Sequence, residues 1–546
     1  FFFNTRISSS AAPHWSSSSR ASHQEQRLSK AVTPQPRSCE YIFILRVQKY
    51  RDLYLTLQPD MNEEKNSENG YRSILKGTSI LGGVQIFQIL INLIRGKFVA
   101  MFLGPAGMGA ASLFNSSSGT LIQLSSLGLN LAFVKEIAAN KDDAGRLATI
   151  RHIASLLIRF TALLGALACA VLAPLLSRLS FGTEDYTWQF LLLSVAVFLT
   201  VAGNGKMAML QGLHKVRLLS MTSLAGAVTG LVAGVPLYWL FGTKGIVPAM
   251  IILALTTYGF YSYGLRRAIP QTGASFNRKL HMPIVRRMLS MGIVLLASSL
   301  INTLCTYLIN IFIRTHGDLE HVGLFNAANS ITLQYVGVVF TAIALDYVPR
   351  LTAATGDRKK MGLIINRQME IVALVATPLT ILLVATAPLV IRVLLTRDFL
   401  PVTELMRWLG ISILLKAIAY PLGYVTFASN NQKLFFWLEA IVCNILYAGL
   451  SLLFYNFYGL PGLGYAAVVE QGACVLLYLA VNNRVYGFRP NRKAACETLA
   501  GVLFGITAFC ISVLTEGMLS YWLMASVFLI CTARSFLTLK SRIRED

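Results

Sequence analysis

The sequence predicts an all-α polytopic membrane protein: two pseudo-symmetric six-helix lobes, with about two extra C-terminal transmembrane helices. Three observations carry that expectation. Charged residues make up only 13% of the 546-residue chain and hydrophobic ones 55%, where a soluble domain carries roughly 25% charged residues. Apolar stretches long enough to span a bilayer (about 20 residues), such as Ile371 to Leu395 and Leu434 to Tyr455, recur between short polar breaks. A short motif, Leu113-Phe114-Asn115, returns as Leu324-Phe325-Asn326 at a matching place in the order of spans.

Residues 1–60 hold a Ser run (Ser16 to Ser19), scattered Arg and Pro, and one apolar patch, Tyr41 to Leu45, that is too short to span. Met61 then opens a polar leader into the first apolar stretch. Translation is expected to start there, which makes 1–60 a non-native or disordered extension; a basic, Ser-rich organellar transit peptide is the alternative.

About fourteen spans follow, centred near Ile89, Ile122, Leu164, Ala196, Leu231, Leu253, Asn302, Val336, Thr380, Leu414, Cys443, Ala473, Phe504 and Ala525. The expected division is an N-lobe over 61–264, a basic cytoplasmic linker over 265–287, a C-lobe over 288–486, and a last pair of spans with a basic tail over 487–546. Pro236, Pro378 and Pro421 fall inside spans, where neighbouring helices can satisfy the freed backbone.

The net charge is +23. In a soluble chain that would suggest nucleic acid; here the positive-inside rule accounts for it, and no nucleic-acid partner is expected. Connections rich in Lys and Arg (Lys141, Arg146 and Arg151; Arg266 to Arg287; Arg358 to Arg367; Arg484 to Lys493; Lys540 to Arg544) alternate with short ones carrying Glu184, Asp185, Asp318, Glu320 and Glu516. That pattern places both termini in the cytoplasm. Six of the eight cysteines, Cys169, Cys305, Cys443, Cys474, Cys510 and Cys531, lie in apolar stretches without a CxxC pair. They read as small hydrophobes, with no disulfide, no metal and no cofactor expected.

The repeat extends beyond the tripeptide. At an offset of about 211 residues, Ile122 falls on Leu333, Gln123 on Gln334 and Lys76 on Arg287. Six spans separate the matched elements, an even number, so the halves share one orientation, a known transporter plan with the substrate between the repeats. The last two spans lie outside the repeat.

Polar side chains inside spans are costly and usually face a bundle interior or a watery cavity. Gln85, Gln88, Asn92 and Arg95 share one face of span one, and Asn115, Gln123 and Asn130 one face of span two. Asn302, Thr306, Asn310 and then Arg314 line span seven, and Asn326, Ser330 and Gln334 line span eight. The candidate cavity residues are therefore Gln88, Asn92, Arg95, Asn115, Gln123, Asn302, Asn310, Arg314, Asn326, Gln334 and Lys416. For the amides the competing role is helix-to-helix bonding. For Arg95 and Arg314 it is snorkelling to the interface. Lys416 lies deep in span ten, where a cavity role or an ion pair is favoured. Glu439 and Glu470 are the acids able to neutralise it or to carry a coupling ion. Amides suit sugar hydroxyls, and cations suit phosphate.

The run LGPAGMGAASLFN (Leu103 to Asn115), then Leu127-Gly128 and Phe133-Val134-Lys135-Glu136, resembles the first hairpin of the O-antigen and enterobacterial common antigen translocases. These are Wzx-type flippases of the multidrug/oligosaccharidyl-lipid/polysaccharide (MOP) exporter superfamily. A second similarity covers Val393 to Tyr424, with Leu415-Lys416 and Gly423-Tyr424. The resemblance runs from about Arg72 to Tyr486. It implies a V-shaped bundle in the bacterial inner membrane, moving undecaprenyl-diphosphate-linked oligosaccharide by alternating access, beside glycan polymerase and chain-length regulator proteins. Family members commonly have twelve spans, so the final pair departs from the pattern.

Three other functions compete. A multidrug or cation exporter would want acids in the cavity, whereas these stripes are rich in amides and cations. A lipid II flippase suits a cationic cavity equally. A membrane glycan polymerase needs a sizeable outer loop and an acid/base pair, and neither is evident, so the chain is not expected to be an enzyme. No P-loop is present.

Overall fold

The computed structural model describes residues 67–141, 143–268, 278–429, 431–515 and 517–545; the extension over 1–60 and the expected start at Met61 lie outside them. The chain divides into two units, Phe1–Ser73 and Ile74–Asp546. The architecture below is that of the second. Among the described residues every regular element is a helix.

α1 (Ser67–Ser126) is two helices in one: Gly104 adopts φ 66° and breaks the run, and Pro105 begins the second arm. Glycine tolerates that left-handed conformation and proline suits a first helical turn. Leu127 and Gly128, both at positive φ, then separate α2 (Leu129–Ala139). The first half continues with α3 (Ala144–Val171), its short extension α4 (Ala173–Phe181), α5 (Thr187–Gly212), α6 (Val216–Phe241) and α7 (Ile246–Ala268).

The second half has α8 (Arg278–His316), α9 (Leu319–Ala353), α10 (Arg358–Leu394) and α11 (Thr403–Ala428). The short α12 (Gln432–Phe435) runs through a π-helical stretch, Phe436–Cys443, into α13 (Asn444–Tyr458). Then come α14 (Leu460–Tyr486), α15 (Arg492–Leu514) and α16 (Gly517–Glu545).

Among the described residues, ten stretches are long and apolar enough to cross a membrane. Two of them, Gly83–Ser126 and Val216–Ala268, each hold two helices, divided at Gly104 and at the 3₁₀ turn Gly242–Gly245. α8 and α9 stand where the seventh and eighth spans are expected. The protein is a multi-pass, all-α membrane protein, and its helix order follows the expected spans.

The repeat is visible in the packing. In the first half α3 lies on α5, α5 on α7, and α6 on α7. In the second half α10 lies on α11, α11 on α14, and α13 on α14. These are the third-to-fourth, fourth-to-sixth and fifth-to-sixth spans of each half. The caps repeat too. Asp143 accepts from the backbone N–H groups of Gly145 and Arg146 at the start of α3, and Asp357 from those of Lys359 and Lys360 at the start of α10. Asp357→Ala is expected to destabilise the chain by about 1 kcal/mol, the usual cost of a lost N-cap, read as a lower midpoint in a thermal melt of the purified protein.

The matched tripeptides serve packing: Leu113, Phe114, Leu324 and Phe325 are all buried in one continuous core. The other matched pair, Lys76 and Arg287, has side chains outside the described set. α15 and α16 stand apart from the repeated pairing and pack on α10. Arg534 of α16 pairs with Glu497 of α15 at 2.7 Å, and Arg542 with Glu370 of α10 at 3.4 Å.

The basic connection between the halves is partly helical. α7 continues to Ala268 and α8 begins at Arg278, so much of 265–287 is helix. Arg266 and Arg267 sit in the last turn of α7, where the negative end of the helix dipole favours cations.

Candidate functional site

In the first half α1, α6 and α7 enclose a polar pocket. Arg95 and Asn115, from the two arms of α1, meet Gly230, Gly234 and Tyr238 of α6 and Ala249 and Leu253 of α7 around a cavity of about 60 Å³. The glycines let the wall come close: a Cβ on Gly230 would stand 2.5 Å from Leu253. The Arg95 guanidinium thus faces an amide and a phenol inside the half. One face-length away on α1, the Gln88 amide donates to the Ser223 hydroxyl, which also accepts from Tyr261 at 3.1 Å. Asn92, between Gln88 and Arg95, is exposed.

The two halves meet along a seam. Gln123 of α1 donates to the Ser299 hydroxyl of α8. Gly128 and Gly292 touch backbone to backbone, so that a Cβ on Gly128 would stand 2.1 Å from the Gly292 carbonyl oxygen. At the end of the bundle bearing the short connections the approach is equally tight. A Cβ on Gly109 would meet the Leu319 carbonyl at 1.8 Å, and one on Gly323 the Pro105 carbonyl at 1.9 Å. Arg314 reaches across the same end: its Nε donates to the Ser180 carbonyl at 3.0 Å, and its guanidinium lies over Gly182. The Ser180 hydroxyl bonds the Tyr307 hydroxyl at 2.7 Å, and Lys97 donates to the Val393 carbonyl.

Other stripe members are occupied by packing. Asn310 is 1% exposed and accepts from Asn326 at 2.8 Å, closing the α8–α9 hairpin. Gln334 donates to Ser330 of its own helix, and its Oε1 is buried without a partner among the described residues. Asn302 donates to Asn444 at 2.8 Å, and Asn444 donates to the Glu439 carbonyl at 2.8 Å and the Ala440 carbonyl at 3.1 Å. The wider π turn frees carbonyls from their usual partners, and Asn444 satisfies them. One chain of amides therefore ties α8 to the irregular turn.

Lys416 lies mid-way along α11 and is exposed. It acts electrostatically on Glu470 of α14, which is only 4% exposed. Glu439, in the π stretch, is exposed and accepts from the Tyr478 hydroxyl. The two acids named from the sequence therefore have different surroundings. Glu470 accepts instead from Cys474 at 3.1 Å, and the Cys474 sulfur stands 2.9 Å from that of Cys443. Ser299 belongs to the polar stripe of span seven read from the sequence; Tyr238, Ser223, Asn444, Tyr478 and this thiol pair were passed over. The helical steps from Glu470 to Cys474 to Tyr478 were the available signal for the last group.

Residues 74–354 match the model of the family described as polysaccharide biosynthesis protein. The chain belongs to that family. Two curated relatives of this polysaccharide biosynthesis protein, each named lipid III flippase, come from Escherichia coli (strain K12) and Shigella flexneri. Each is 21% identical over 374 residues, covering 67% of this chain and 88% of the relative. Among solved structures, the lipid II flippase MurJ in an inward closed conformation matches with a TM-score of 0.65 at 15% identity, over 86% of this chain and 99% of that one. A multidrug resistance MATE family transporter of the MOP superfamily, in an inward-facing conformation, matches with a TM-score of 0.61 at 18% identity, over 79% and 96%. These structures share the fold of this family member.

Proposed function

We propose that the chain is a flippase that carries an undecaprenyl-diphosphate-linked oligosaccharide, an O-antigen-like repeat unit, from the cytoplasmic to the periplasmic leaflet by alternating access. The observation that carries this reading is a cation set within each half: Arg95 in a polar cavity of the first and Lys416 at mid-helix in the second. A cation at a helix centre costs roughly 2.5–3.5 kcal/mol on insertion scales, a cost that a transported diphosphate explains. Amides around Arg95 and along the seam suit sugar hydroxyls, while the lipid tail stays in the bilayer. Support also comes from the relatives' names, lipid III flippase and lipid II flippase.

On this reading both termini are cytoplasmic, the short-connection end faces the periplasm, and the seam through Arg314 closes that end. Glu439 is the acid placed to exchange a coupling proton, being exposed beside Tyr478. A lipid II substrate is the second reading, favoured by the fold shared with MurJ.

Deleting the gene and extracting lipid-linked glycans tests the proposal. Accumulation of an undecaprenyl-diphosphate oligosaccharide on the cytoplasmic leaflet is expected; accumulation of lipid II selects the second reading, and an unchanged lipid pool refutes both. Lys416→Ala and Arg314→Ala are expected to lower export at least tenfold in the complemented strain at normal membrane levels. Wild-type export by both removes them from the transport path. Glu439→Gln is expected to abolish the response of transport to an imposed pH gradient.

A further inference from the structure

We infer that Cys443, Glu470 and Cys474 form a binding site for one soft divalent cation of the zinc class, bracing the π-helical turn to α14. The inference rests on this cluster alone and is independent of the flippase reading. Glu470 and Cys474 are four residues apart on α14 and share its inward face. Cys443 closes the π stretch on the facing helix. The two sulfurs are 2.9 Å apart, Cys474 Sγ is 3.1 Å from Glu470 Oε1, and all three donor atoms lie within 4.8 Å of one another.

Zinc binds sulfur at about 2.3 Å and carboxylate oxygen at about 2.0–2.2 Å. A tetrahedral ion therefore needs its donors about 3.3–3.8 Å apart, within reach of small side-chain rotations here. All three residues are buried. A carboxylate drawn together with two thiols in an apolar bundle is costly to keep charged, and a bound cation lowers that cost. Two thiolates and a carboxylate around a divalent ion leave one negative charge, and Lys416 already acts on Glu470, so the cluster closes to neutrality. The fourth position falls to water or to the Tyr478 hydroxyl, 3.4 Å from the Cys443 sulfur. Thiolates select against sodium, magnesium and calcium, which prefer oxygen.

Glu470 and Cys474 share a helical step in the sequence, but Cys443 comes from another helix and stands on an irregular turn, so the complete site is not visible in linear spacing. Binding would hold Cys443 against α14 and fix the turn that also carries Glu439.

The test uses the full-length chain, purified, reduced and reconstituted in lipid nanodiscs, titrated with Co²⁺ as a spectroscopic probe. The expected result is uptake of one equivalent, with a thiolate-to-cobalt charge-transfer band and the visible bands of tetrahedral cobalt, both displaced by Zn²⁺. Cys443→Ser and Cys474→Ser are each expected to lose the charge-transfer band, and Glu470→Gln to weaken uptake at least tenfold while keeping it. In the wild-type chain, Zn²⁺ should slow alkylation of Cys443 and Cys474 at least tenfold, but not that of exposed Cys496 and Cys510, read by peptide mass spectrometry. That measurement needs no variant and so survives a folding defect. Absence of a charge-transfer band in the reduced wild type, an unchanged band in Cys443→Ser, or unprotected thiols would overturn the inference.

Discussion

Arg95→Ala is expected to reduce glycan export at least tenfold while leaving the amount of protein in the membrane unchanged. The guanidinium shares a cavity of about 60 Å³ with Asn115 and Tyr238, and the described ion pairs do not include it. Removing a cation from mid-helix eases insertion by roughly 2.5–3.5 kcal/mol, so the variant has no reason to be lost before it reaches the membrane. Any defect then belongs to transport. Arg95→Lys keeps the charge but not the planar fork that grips phosphate through two bonds, and should recover only part of the activity. Complementation of a deletion strain, with glycan export and immunoblot read side by side, checks both variants. Wild-type export by Arg95→Ala would leave the first half without its proposed contact to substrate.

Gly323→Leu is expected to abolish transport by a different route. A single Cβ there would meet the Pro105 carbonyl at 1.9 Å, and the reciprocal contact at Gly109 is as close. Backbone, not a flexible side chain, stands in the way, so the second arm of α1 and α9 must move apart. Overpacking of this kind commonly costs about 1–3 kcal/mol, enough to shift a conformational equilibrium without preventing insertion. The seam held by Arg314 and Ser180 should open with it. In a Ser180→Cys background, a water-soluble maleimide should label the chain at least tenfold faster when Gly323→Leu is also present. Equal labelling, or normal transport by Gly323→Leu, would show that this contact does not gate the short-connection end.

The fold was legible because a bilayer imposes length and polarity on every span. Polar residues such as Gln123 and Asn302 stand out at helical spacing among apolar neighbours, and the doubled Leu-Phe-Asn tripeptide marked the two halves. The candidate site was less legible. Asn310 and Arg314 are neighbours on one face of α8, yet Asn310 is spent on Asn326 while Arg314 reaches across to Ser180. An amide's role depends on which helix stands opposite, and one strand of sequence does not say. Gly109 and Gly128 fall in the segments that carry the family resemblance, but the close backbone approach at Gly109, Gly128, Gly292 and Gly323 gave no signal, because glycine is frequent in membrane helices. Cys443 and Cys474 were read as isolated hydrophobes for the same reason: their proximity is created by the packing of α13 on α14.

The length of α8 has a mechanical consequence. Its 39 residues make a rod of about 58 Å, near twice the roughly 30 Å apolar thickness of a bilayer. The crossing at Gly292 divides it unequally, with about 21 Å on the Arg278 side and about 36 Å on the His316 side. Were the helix to turn about that point as one body, its two tips would move in opposite senses, the His316 tip about 1.7 times as far. A modest push on the basic tip would thus be magnified where Arg314 meets Ser180.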